Sequence, residues 1–152
     1  IDADVDNVAT LLRVSGALPR DLEIAPLLQE AKRQLAEEAD YEREGRQMAL
    51  FGRLLADSPE FLVPTLEADL TTPRILAMTY LDGLPIESLE TAPQAARDTA
   101  ARTLMALVLR ELFEFGVMQT DPNFGNYRIR PDGRIVLLDF GAARPVEPAT
   151  PR

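Results

Sequence analysis

The chain has 152 residues with 25 acidic and 16 basic side chains, giving a net charge of −9. With 46% hydrophobic and 27% charged residues it carries enough apolar surface to offset chain entropy, which excludes a long disordered chain. A pI near 4.5 argues against a binder driven by nucleic-acid phosphates, and the lack of Cys and His excludes disulfides, a thiolate nucleophile, a Ser-His-Asp triad and His- or Cys-ligated metals.

In chain order, Ile1, Val5, Val8, Leu11 and Leu12 recur at helical spacing, and Ser15-Gly16 with Pro19 reads as the stop. A second helix is expected from about Pro26, carrying Leu27, Leu28, Ala31, Leu35, Ala39, Met48, Phe51 and Leu55. Its middle, Glu37 to Arg46, is dense in charge. Phe61 to Leu66 holds Pro64, so it is an edge strand at best. Arg74 to Leu81 is a strand candidate, close enough in sequence to form a hairpin with it.

Pro93 to Phe115 is the clearest helix, with Leu104, Leu107, Val108, Leu112 and Phe115 expected as core and Gly116 as the stop. A turn-rich stretch, Asp121 to Asn126, follows. Tyr127 to Arg130 and Arg134 to Leu138 then flank Pro131-Asp132-Gly133, a hairpin signal. The order predicts an α+β arrangement rather than a doubly wound sheet.

The first residue is Ile, no signal-peptide pattern is visible, and the longest apolar run, Leu104 to Leu109, is far short of the roughly 20 residues a membrane span needs. The expectation is a fragment of a cytoplasmic protein, peripheral to the inner membrane if membrane-associated at all. Lys32 is the only lysine, so the other basic side chains are arginines.

The chemistry concentrates in Gln119-Thr120-Asp121-Pro122-Asn123-Phe124-Gly125-Asn126, then the hairpin, then Asp139-Phe140-Gly141. Protein kinases place a loop Asp five residues before an Asn, with D-F-G after a short hairpin. The Asp accepts or orients the proton of an attacking hydroxyl, while the Asn and the D-F-G Asp reach the Mg²⁺ ions on the nucleotide phosphates. Asp121 to Asn126 is that interval. On the residues alone, D-P-N-F-G-N also reads as a turn, and Asp139 as a strand-end cap.

Those motifs, with Glu38-Ala39-Asp40-Tyr41, Arg43-Glu44, Val63-Pro64 and T-P-R-I-L-A-M-T-Y-L-D-G, resemble the UbiB (AarF) family of atypical protein-kinase-like proteins. The match is closest to the branch associated with ubiquinone biosynthesis, and covers about Asp4 to Ala143. The resemblance implies a partial kinase-like fold in one domain, residues 1–152. In it, 1–81 forms the remainder of the N-lobe with inserted helices, and 82–152 begins the C-lobe. It implies Asp121 as the catalytic-loop Asp and Asn126 and Asp139 as metal ligands. Glu44 becomes the helix Glu that pairs with a nucleotide-binding lysine. Glu38 and Asp40 become the E-x-D pair, Met78 the gatekeeper, and Thr79, Tyr80 and Leu81 the hinge that holds adenine. The cofactors implied are Mg²⁺ with ATP or ADP. The partners implied are the nucleotide and isoprenoid lipid or quinone-biosynthesis enzymes, with no nucleic acid. Membrane association would come through other parts of a larger protein.

The family's K-x-G-Q extension, nucleotide loop and strand lysine have no counterpart here and are expected upstream of Ile1, so the fragment alone is expected to turn nothing over. Asp40 and Glu44 share a helix face, but Glu38 stands roughly 200° from Asp40 on an ideal helix, and a solvated charged face with a Glu42–Arg46 pair is the plain reading. Two rivals remain. One is a small-molecule phosphotransferase of the aminoglycoside or choline kinase type, although Gln119 and Thr120 stand where those usually carry His. The other is a non-catalytic pseudokinase scaffold.

Overall fold

The computed structural model describes residues 25–29, 33, 40–121 and 123–146. The chain divides into two compact units, at residues 40 and 41. In the first, residues 25–29 and 33 are helical, as expected from Pro26 onward. The helix expected over Ile1 to Leu12, its stop, and Glu38 lie outside the described residues.

The second unit contains α1 (Tyr41–Leu54), β1 (Phe61–Leu62), β2 (Leu84–Pro85), α2 (Gln94–Arg110), β3 (Val117–Gln119), β4 (Tyr127–Ile129), β5 (Ile135–Leu137) and β6 (Ala143–Pro145). Short 3-10 turns at Ile86–Thr91 and Phe124–Asn126 link them. A four-stranded sheet runs β1-β5-β4-β2, and β3 pairs with β6 in a separate ribbon.

The physical basis of α1 is a stripe at spacing 4, 3 and 4: Glu44, Met48, Phe51 and Leu55. Met48 and Phe51 are fully buried. Acidic Glu42 and Glu44 in its first turn and Arg53 in its last complement the helix dipole. The Phe51 ring meets Phe140 at 5.1 Å between centroids, tilted by 43°. Ile135 and Leu137 complete this core.

The hairpin of β4 and β5 forms in the expected place, with Tyr127 opposite Leu137 and Ile129 opposite Ile135. Gly133 takes φ +84 at its turn, a conformation that favours glycine. Arg134 donates to Asp132 across that turn.

The expected pairing of Phe61 to Leu66 with Arg74 to Leu81 is reduced to an irregular antiparallel hairpin. Its rungs are Glu67 N–H to the Ala77 carbonyl and Thr79 N–H to the Thr65 carbonyl, both 2.9 Å, with isolated bridges at Leu66–Met78 and Thr72–Ile75. Pro64 and Pro73 have no N–H to donate, which keeps the ladder from becoming regular. β1 pairs instead in parallel with β5, Phe61 opposite Ile135.

α2 runs on into a wider π-helical turn at Glu111–Phe115, and Gly116 ends it at φ +64. Leu107 is buried, but Val108 and Leu112 are more than a third exposed, so only part of the expected core stripe reaches the sheet. The other edge of the stripe lines a concavity. Nothing would crowd a Cβ at Gly116. Gly116→Ala is therefore expected to cost only the left-handed backbone penalty, about 1 kcal/mol, read as a lowered midpoint in urea at unchanged m-value.

Candidate functional site

Two pairings assemble the site. The hairpin register sets Asn126 across from Leu138, whose N–H donates to the Asn126 carbonyl at 3.1 Å. The next residue, Asp139, therefore comes within reach, and Asn126 Nδ2 donates to Asp139 Oδ2 at 2.9 Å. The second pairing sets Gln119 opposite Ala143, so the chain leaving β3 and the chain entering β6 emerge at one end. Thr120 reinforces this by donating its hydroxyl to the Ala142 carbonyl at 2.7 Å. Asp121, in the loop that follows, is exposed.

The loop itself is built from turn residues. Asn123 Oδ1 accepts from Gly125 N–H at 2.9 Å, and the Asn123 carbonyl accepts from Asn126 N–H at 3.0 Å. Both the turn reading and the kinase-like reading of this stretch describe the same atoms: the turn is what presents Asn126.

Glu44 enters from α1. Phe140, buried against Phe51 of α1, draws Asp139 up to the first turn of that helix. A Cβ on Gly141 would stand 3.4 Å from Asp139 Oδ1 and 3.8 Å from Glu44 Oε2, so both carboxylates border one gap. Burial pushes the Glu44 carboxyl above its usual range, the adjacent Asp139 charge and a side-chain hydrogen bond to Asp139 add to that, and a hydrogen bond from the Phe140 backbone partly offsets it. Asp139 is itself held by Gly141 N–H, which donates to Oδ1 at 2.9 Å. Two carboxylates facing one gap beside a carboxamide form a hard, oxygen-rich site with excess negative charge.

Arg43, one residue before Glu44, donates to the Gly141 carbonyl at 3.3 Å and the Ala143 carbonyl at 2.9 Å. Asp40 immediately precedes α1. The expected Glu42–Arg46 pair is present at 4.0 Å on the exposed side.

The segment Met78 to Leu81 forms no regular strand. Met78 packs against the core, Thr79 is tied to Thr65 through both its N–H and its hydroxyl, Tyr80 is 90% exposed and Leu81 is half-buried. The arginines of the hairpin serve structure. Arg130 pairs with Asp82 at 2.7 Å, Arg128 donates to the Gly83 carbonyl at 3.2 Å, and Arg134 pairs with Asp132 at 2.8 Å.

Sequence reasoning gave no role to the polar cluster behind the loop. Glu111 is only 2% exposed and accepts from Gln119 N–H at 3.2 Å. The Tyr127 hydroxyl donates to Gln119 Oε1 at 3.4 Å. Burial raises the Glu111 carboxyl to about 7. The cluster closes the polar end of a concavity of about 820 Å³ whose apolar wall includes Ile86, Leu104, Met105 and Phe124. The signal was present: Glu111 falls four residues after Leu107 and seven after Leu104, inside the apolar stripe.

The ABC1 atypical kinase-like domain matches residues 1–152, and the chain belongs to that family. Among its relatives, atypical kinase COQ8B, mitochondrial, of Rattus norvegicus is 41% identical over 145 residues, covering 95% of this chain and 28% of the rat protein. Atypical kinase COQ8, mitochondrial, of Saccharomyces cerevisiae is 39% identical over 148 residues, covering 95% of this chain and 29% of the yeast protein. Among solved structures, Rv3197 from Mycobacterium tuberculosis in complex with erythromycin superposes with a TM-score of 0.77 at 26% identity, over 95% of this chain and 37% of that one. The mixed helix-and-sheet architecture is thus kinase-like. The chain spans less than a third of the length of the two curated relatives.

Proposed function

We propose that this chain, within a protein of the length of its relatives, binds a Mg-nucleotide, ATP or ADP, and serves an ATP-dependent atypical kinase or ATPase in support of ubiquinone or isoprenoid-lipid metabolism. The observation that carries this reading is the 2.9 Å contact of Asn126 with Asp139, set against Glu44. It supports a divalent-cation site because it sets the Asp139 carboxylate beside the Asn126 carboxamide, whose Oδ1 is a second hard oxygen, and Mg²⁺ typically takes one or two protein carboxylates and leaves its other positions to phosphates and water.

In this reading Asn126 and Asp139 hold Mg²⁺, which when bound would neutralise charge on the phosphates. Asp121 orients the proton of the attacking hydroxyl or water. Glu44 pairs with a cationic side chain of the nucleotide site. Met78, Thr79, Tyr80 and Leu81 take the adenine, and Glu38 and Asp40 act as the E-x-D pair. Residues 1–81 belong to the N-lobe and 82–152 open the C-lobe. The rat and yeast relatives are mitochondrial proteins by name. No helix among the described residues is long and apolar enough to cross a membrane.

The test is a thermal-shift titration of the longer protein with ATP and ADP, with and without Mg²⁺. A nucleotide at about 100 times its Kd adds roughly 2.7 kcal/mol of stability. A Mg²⁺-dependent rise in Tm is expected. No rise with either nucleotide overturns the reading in favour of a scaffold that binds no nucleotide, and phosphorylation of added aminoglycosides or amino-alcohols would move it to the small-molecule kinases.

A further inference from the structure

The Glu44–Asp139 contact poses a physical problem. Two ionised carboxylates bordering one gap repel, and only a proton shared in the side-chain hydrogen bond between them relieves this, yet the backbone between β5 and β6 stays folded up against α1. Phe140 supplies apolar attachment, but a ring does not fix where the carboxylate one residue earlier points. The two carbonyls following Asp139 by two and four residues are both engaged by the Arg43 guanidinium. Its fork spans the Gly141 and Ala143 carbonyls in a half-buried setting, and planar two-point donation of this kind fixes position as well as charge.

We propose that Arg43 is a positioning residue for Asp139: it clamps the backbone after the D-F-G to α1, so that Asp139 faces the metal gap against the repulsion of Glu44. This rests on the Mg-nucleotide reading above and deepens it. Arg43 acts through Gly141, whose N–H in turn holds Asp139 Oδ1. Lysine at this position keeps the charge but loses the fork, and glutamine keeps a donor but loses the charge.

The experiment uses the longer protein and measures ATP binding as a function of Mg²⁺ concentration, beside Mg²⁺-free binding as a control. Loss of a partner that orients a metal ligand typically costs 10–100-fold in metal affinity. Arg43→Ala is expected to raise the Mg²⁺ concentration at half-saturation about tenfold at least, with Mg²⁺-free ATP affinity within about twofold of wild type. Arg43→Lys and Arg43→Gln should fall between. The proposal is overturned if the Mg²⁺ requirement stays within about twofold of wild type, or if Mg²⁺-free binding falls by the same factor. Should Arg43→Ala not fold, Arg43→Lys and Arg43→Gln decide on the same criteria. A wild-type protein with no Mg²⁺-dependent binding defeats the parent reading itself, and this proposal with it, a result distinct from the others.

Discussion

Asp139→Asn is expected to abolish the Mg²⁺-dependent part of nucleotide binding while leaving the nucleotide-free protein at least as stable as wild type. The second half of that expectation separates it from ordinary damage. Asp139 sits beside Glu44, whose carboxyl is already pushed up by burial and by the Asp139 charge. An uncharged side chain of the same shape removes the repulsion and can still accept from Gly141 N–H, which holds Oδ1 at 2.9 Å. In the proposed reading the ion would lose the carboxylate that stands beside Asn126. The roughly 2.7 kcal/mol that a nucleotide at 100 times its Kd adds in the presence of Mg²⁺ should therefore vanish from the thermal shift. A variant that keeps the Mg²⁺-dependent rise would remove Asp139 from the site. One that loses it only because the nucleotide-free protein has already melted would leave the carboxylate-pair argument wrong.

The second large effect is a pH dependence that belongs to Glu111. Its carboxyl is raised from 4.5 to about 7, chiefly because it is buried, with the Gln119 N–H offsetting part of that cost. Below 4.5 the folded and unfolded chains both hold the proton, so stability does not change on this account. Between 4.5 and about 7 the folded protein keeps a proton that the unfolded chain releases, so stability falls as pH rises. Above about 7 both are ionised and the curve flattens, after a total loss of about 3 kcal/mol. Glu111→Gln keeps an acceptor for Gln119 N–H but cannot titrate. In urea unfolding from pH 5 to pH 8, the difference between variant and wild type should grow with pH and favour the variant. Glu44 is raised in the same direction, which is why the difference curve is the readout. Parallel curves would mean that Glu111 titrates near its ordinary range.

What the sequence made legible was local. Pro131-Asp132-Gly133 announced the hairpin, and the hairpin by itself carries Asn126 to Asp139. Gly116 marked the helix end because only a left-handed residue stops it there. The stripe of Met48 and Phe51 set the buried face of α1, and with it where Glu44 must look. What escaped notice was long-range or carried by very few residues. β2 is two residues long, too short for any periodicity, and exists only because β4 offers it an edge. The pairing of β3 with β6 joins segments with no pattern in common. The carbonyls that Arg43 engages are backbone atoms about a hundred residues away, invisible to side-chain chemistry. Val108 and Leu112 misled because helical spacing identifies a face, not how much of that face a neighbour covers.

The parallel contact of β1 with β5 bears on how this molecule can be taken apart. Ile135, Val136 and Leu137 are fully buried, and β1 lies along one of the two sides of their strand. Expressing residues 82–152 alone would strip that side, leaving an unpaired, wholly apolar edge of the kind that recruits strands from other chains. Such a half-molecule should precipitate or form strand-exchanged oligomers, whereas a cut made ahead of Tyr41 keeps the four-stranded sheet whole.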